Sequence, residues 1–339
     1  MWGGALSPIC ARLAYCADIC KDVHREAIAC GEGYTALLSA MIYSLSYYSA
    51  GLPMNAVFEA KMAHFLRECK SLALTPTLTV TFRIFHQTTL NLQGKGNTAN
   101  PVKLAGRSLD EEKALAEFDG SAKKQTFRDI SVFRLMLACV YHDEAAMEEL
   151  IQRFEPYPEI DLCFPRHHLR DVFMGLAALH LSRKYQKQDR QLYKKFSKIG
   201  KKKQASFQQL AKLAKSENAP PVLACFRAVE TPSKSHYIKA IDAARASGMM
   251  HLEAIMNEWY GLYLADEGRK NDSKNTINNT CSVSGSRRNG ISAEAEAYIT
   301  DAMWAYFDWG ALGKVKHMRQ DYKFLLNAHR DASKMFKLP

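Results

Sequence analysis

His142, Asp143 and Glu144 stand side by side in "YHDEAAMEE", and an imidazole with two carboxylates is a set of groups that can hold a metal ion or move a proton. The same three residues precede a helical pattern, so Asp143 is first of all a helix N-cap. His167 and His168 are a second pair of possible ligands. Adjacent side chains on a helix diverge by about 100°, however, and so share an ion poorly. With Arg166 and Arg170 beside them, they read as a solvated basic turn. Nine cysteines are scattered without a CxxC spacing, so neither a zinc ribbon nor a dithiol redox motif is visible, and buried thiols in a reducing compartment are expected. "GKGNTANP" brings two glycines near a lysine but lacks the phosphate-loop spacing and a preceding strand. No kinase or zincin signature occurs. The expectation is a chain with no catalytic residue, no cofactor and no metal.

The 339 residues carry a net charge of +11, and its placement matters more than its size. Between Arg183 and Lys215 lie twelve Lys and Arg against a single acid, Asp189, a difference equal to the whole excess. Tyr185, Tyr193, Phe196 and Phe207 interleave at offsets that place them on one apolar face, which anchors the helix and leaves the cations outward. Lys194, Lys195, Lys198, Lys201, Lys202 and Lys203 form the candidate partner surface. The cations read either as a solvated face or as an electrostatic dock for an acidic protein surface, nucleic acid or an anionic lipid surface.

The elements around these residues read as helical throughout. Good helix formers dominate, and apolar periodicity recurs in segments of about 12 to 20 residues. Helices are predicted over 9–29, 34–50, 53–71 with Pro53 in its first turn, 78–92, 126–141, 144–154 and 169–181. A long basic helix follows over 183–217, with a possible break at Gly200. Ser108 with Glu111 three residues on suggests a capping box. "TPTLTVTF" has strand-like β-branching, but its continuation favours helix. "EPYPEIDLCFPRHH" is a Pro-rich crossover. It divides the chain into N-terminal helical repeats over 1–155 and C-terminal repeats over 156–326, with a tail over 327–339. The Asn/Ser-rich stretch within 267–290 reads as a disordered insertion.

"YIKAIDAARASG" and "YITDAMWAYFDWG" each open on Tyr-Ile, space small residues helically and stop at a glycine, Gly248 and Gly310. With the insertion set aside, about 37 residues separate those glycines, near the 34 of a tetratricopeptide repeat. An all-α, TPR-like superhelix of antiparallel hairpins follows, in which Tyr298, Ala302, Ala305 and Trp309 fill the space between hairpins. Nothing is apolar enough over enough length to span a bilayer, and a signal peptide is not evident, so a cytoplasmic location is expected.

The ending "AYITDAMWAYFDWGALGKVKHMRQDY" resembles the last repeat in the helical region of STAND-class signal-transduction ATPases. The nearest resemblance is to hybrid proteins that join a Ser/Thr-kinase-like domain, an AAA-type ATPase, this helical region, a GAF domain and a histidine kinase. "YTALLSAMIYSLSYYSAGLPMN", "SLDEEKALAEF", "LAKLAKSENAP" and "EAIMNEWYGLYLADEG" follow the same order, so the resemblance runs from about Ala27 to Tyr322. It implies a non-catalytic scaffold for protein–protein interaction, relaying between ATPase and kinase modules. The basic segment and the Asn/Ser-rich insertion depart from the family's pattern.

Overall fold

Fourteen α-helices and no β-strand form among the described residues of this computed structural model, which are 11–72, 76–96, 99–154, 165–278 and 293–322. They are α1 (Leu13–Ala29), α2 (Gly33–Ala50), α3 (Ala56–Ser71), α4 (Pro76–Leu92), α5 (Glu111–Ala116), α6 (Gly120–Tyr141) and α7 (Glu144–Arg153). The second group is α8 (Pro165–Tyr185), α9 (Arg190–Leu213), α10 (Ala219–Glu230), α11 (Lys234–Ala246), α12 (Met250–Asn278), α13 (Ala293–Trp309) and α14 (Leu312–Asp321). Among the described residues no helix is long and apolar enough to cross a membrane.

The helices begin and end for local reasons, and several do so at residues other than those expected. Asn55, not Pro53, opens α3: its side-chain oxygen accepts from the Val57 and Phe58 N–H groups at 3.1 Å each. Asp110, not Ser108, caps α5 by accepting from Glu112 and Lys113 at 3.2 Å. The β-branched run at the start of α4 is helical from Pro76. Hydroxyls such as Thr81 and Thr88 bond the carbonyls one turn back, which satisfies them inside a buried helix. The long basic helix is two helices. It is broken at 186–189, where Asp189 accepts from Gln191 and Leu192 at 2.8 and 3.0 Å, and it is continuous through Gly200. α12 runs on to Asn278, so the first part of the segment expected to be disordered is helical. Residues 279–292 and the tail over 327–339 lie outside the described residues.

Both expected glycine stops hold. Gly248 adopts φ 70 and Gly310 φ 86, the left-handed conformation that closes a helix C-terminus, and Gly51 ends α2 in the same way at φ 67. At Gly51 the position is doubly restricted, because a Cβ there would sit 1.9 Å from the His251 Nδ1 atom. Gly51→Ala adds the left-handed penalty to an overpacked contact, and should lower stability by about 2–4 kcal/mol in a urea titration.

α2 is buried almost all round, with Leu37, Ala40, Leu45 and Tyr48 at its centre, as expected of a helix apolar on every face. α8 is the hub, packing on α2, α6, α7, α9 and α10. Buried apolar residues from Leu13 to Met318 join in one core, continuous across the boundary expected between residues 155 and 156. From α10 to α14 each helix packs on the next in sequence. The ends also return to the body, unlike an array in which each unit touches only its neighbours. α14 packs on α4 and α6, the Trp309 indole N–H donates to the Leu52 carbonyl at 3.0 Å, and Arg12 pairs with Glu217 at 2.9 Å.

Candidate functional site

α9 is held by one face and presents the other. Phe196, Gly200 and Phe207 are buried, with Leu192, Ile199 and Leu210 packed at the edges of the core. The Phe196 ring stacks on Tyr185 at 5.9 Å, while Phe207 meets His168 edge-on at 5.3 Å and Phe226 at 5.6 Å. Gly200 is needed for this approach, since a Cβ there would lie 2.6 Å from a methyl of Leu179. Phe196 and Phe207 therefore turn inward and Tyr185 packs against the core from the end of α8, whereas Tyr193, expected on the same face, is only half-buried.

Lys194, Lys195, Lys198, Lys201 and Lys202 are exposed, and none pairs with a carboxylate of the described residues. Arg190 and Lys212 fall on the same face at 100° per residue, which makes a positive ridge about 33 Å long. Lys203 does not belong to it. Its ammonium lies 2.6 Å from Asp171 Oδ1 and is largely buried. Burial opposes ionisation of Asp171, but Arg170 and Lys203 outweigh it and hold the carboxyl below its usual range. The signal was in the sequence: 196, 200, 203 and 207 form one i, i+4, i+7, i+11 stripe, so Lys203 sits among the residues that face the core.

A second cluster forms where α6 turns into α7 against α8. Asp143 caps α7 as expected, accepting from the Ala146 N–H at 3.0 Å. His142 just before it is left-handed, φ 57, which a C-terminal residue other than glycine adopts at some strain. Glu144 reaches His180 Nε2 with one oxygen and the Lys184 ammonium with the other, at 2.7 Å each. The His142 ring lies 5.0 Å from the His180 ring, and the Trp259 indole covers both at 5.5 and 4.9 Å. One donor atom from each of His142, Glu144 and His180 falls within 4.8 Å of the others, so these three residues could hold a metal ion. Burial, with His180 and Lys314 adding to it, pushes His142 down to about 3. Hydrogen bonding from His180 pulls Glu144 down to about 2 despite its burial. His142 and Glu144 were visible in the sequence, but His180 was not, because it arrives from another helix with no local motif.

His167 and His168 are not a solvated basic turn. Both are in α8, where His167 is 5% exposed and Arg170 7% exposed, and Arg166 pairs with Asp129 at 3.1 Å. The turn was expected because the flanking arginines read as solvent-facing; instead Asp129 of α6 meets Arg166, and Arg170 pairs with Asp171 of its own helix. Both His168 ring nitrogens are shielded from solvent, and burial pushes this imidazole down to about 4.

Two further features had no sequence signal. Lys314 and Glu258 are both completely buried and meet at 2.6 Å. Tyr322 and Tyr306 donate to the same carboxylate at 2.7 and 2.8 Å. Beside them a cleft of about 320 Å³ opens between Asn91, Tyr141, Gly313 and His317. Burial pushes the Cys20 and Cys69 thiols up to about 11 and Cys225 to about 12, so these three are not thiolate nucleophiles at neutral pH. Of the last aromatic helix, Tyr306 and Trp309 are buried core, whereas Trp304 is 40% exposed and lines a shallow cleft with Asp301 and Asp308.

Comparison with protein-family models, curated proteins and solved structures finds no match to this chain.

Proposed function

We propose that the chain is a non-catalytic helical scaffold that docks an acidic protein surface along α9. The observation that carries this reading is the row of exposed, carboxylate-free cations from Arg190 to Lys212 on a helix rigidly seated through Phe196 and Phe207. Lysines on long stems make a general electrostatic contact and a fast encounter, rather than the bidentate readout that arginines give. Phe196 and Phe207, the rings that seat α9, are buried and cannot serve as a stacking platform of the kind that single-stranded nucleic acid uses. An acidic protein surface therefore fits the ridge better than nucleic acid does.

The consecutive pairing from α10 to α14 supports a TPR-like reading of the C-terminal half, in which hairpins expose a surface to partners. Within the resemblance to STAND-class proteins, that partner belongs to an ATPase or histidine-kinase module, and the scaffold relays between them in the cytoplasm. The buried, unreactive thiols fit a reducing compartment.

Titration of the full chain with polyglutamate tests the docking reading. Binding should weaken by at least about tenfold between about 50 and about 200 mM salt. It should be lost when Lys194, Lys195, Lys198, Lys201 and Lys202 are all changed to Glu. Duplex DNA run in parallel should bind no better than polyglutamate; tight, salt-independent binding of either polymer contradicts the proposal.

A further inference from the structure

We infer that His142, Glu144 and His180 form a binding site for one divalent transition-metal ion, with Zn²⁺ the cation of choice. Two imidazoles and a carboxylate are the donor set of open zinc sites, where three protein ligands leave the fourth position for water or a substrate. Softer thiolates are absent from the cluster, and an all-oxygen shell that would favour Mg²⁺ or Ca²⁺ is absent too.

The geometry is close to what the ion needs. Zinc bonds of about 2.0 Å place tetrahedral ligands roughly 3.3 Å apart. The Glu144 oxygen and His180 Nε2 now lie 2.7 Å apart, and the His142 donor lies within 4.8 Å of both. Shifts of about an ångström or less in each side chain complete the shell. Glu144 keeps about a third of its side chain accessible and His180 about a sixth, which leaves the carboxylate the more room to adjust.

Three features beyond the cluster point the same way. The His142 ring has no hydrogen-bond partner among the described residues, although it packs within the protein against His180 and Trp259. The ring is only half-buried, so an imidazole nitrogen with no protein partner stays open to an incoming cation. His142 also holds one of only two left-handed conformations found outside glycine among the described residues. That strained turn aims it back towards α8. Lys184, finally, occupies Glu144 Oε2 and leaves Oε1 turned towards His180, the outer-shell arrangement that orients a ligating carboxylate.

Bound there, the ion would clip the α6–α7 turn to the hub helix α8, independently of the ridge on α9. The test uses the purified full chain and Zn²⁺ alone, after exposed thiols such as Cys30 have been alkylated so that they do not compete. One Zn²⁺ per chain should bind in a calorimetric titration. His180→Gln, Glu144→Gln and His142→Asn should each weaken it by more than the ~10–100-fold typical of outer-shell partners. Asn tolerates the left-handed backbone, so His142→Asn and Glu144→Gln keep the test decisive if His180→Gln does not fold. Co²⁺ should quench the Trp259 fluorescence, and the quench should vanish in Trp259→Phe. A wild-type chain that takes up no Zn²⁺, or three variants that bind it as well as the wild type, would overturn the assignment.

Discussion

Lys314→Met should destabilise the protein by about 3–5 kcal/mol, the range for removing one partner of a buried ion pair. Glu258 is left behind completely buried, and the two tyrosine hydroxyls that remain cannot neutralise its charge. The effect should be visible as a lower urea midpoint with an unchanged slope. Changing both residues, Lys314→Met with Glu258→Leu, should recover a large part of the loss. An apolar pair avoids the uncompensated charge, although Tyr306 and Tyr322 lose their acceptor. A single substitution that proves nearly neutral would mean that the pair contributes nothing to holding α14 on α12 and α13.

The second large effect is acid lability above the range in which carboxylates titrate. An unfolded histidine titrates near 6.5. In the fold, burial lowers His168 to about 4, against a small opposing pull from Asp171, and burial with His168 lowers His251 to about 3. Between those values and 6.5 the unfolded chain takes up protons that the folded chain refuses. The contribution of these two residues is therefore complete above pH 6.5 and is lost as pH falls towards their folded values. Each group gives a slope of about 1.4 kcal/mol per pH unit, so by pH 4.5 the two together remove roughly 5 kcal/mol. That is comparable with the whole stability of an ordinary domain. Urea titrations at pH 7, 5.5 and 4.5 check it, and His168→Gln combined with His251→Gln should remove the share of the slope due to these two, leaving that of His142, which burial also lowers to about 3.

Helix type was readable from the sequence because it depends on local periodicity, and the stops at Gly248 and Gly310 were readable because each needs a positive φ. The starts were not. Near α3 and α5 several polar residues compete for the cap, and the winner depends on how the preceding loop approaches, so Asn55 and Asp110 displaced the expected Pro53 and Ser108. The candidate surface was legible except for Lys203, whose place on the buried stripe outweighs its charge once Asp171 is there to meet it. His180 and Lys314 were illegible for a different reason. Each gains its role from a partner 36 or 56 residues away, and such distances leave no mark on any window of sequence.

The links between Ala11–Arg12 and Glu217–Asn218 tie the start of the described chain to its middle, and those between Leu52–Met54 and Trp309 tie its end to its N-terminal part. A linear stack can be shortened one unit at a time and still fold, whereas this molecule should not tolerate trimming. Removing the last two helices would strip the cover from α4 and α6 near the opposite end of the sequence. Under load, or under a protease that nicks its periphery, the protein should thus hold or fail as a whole.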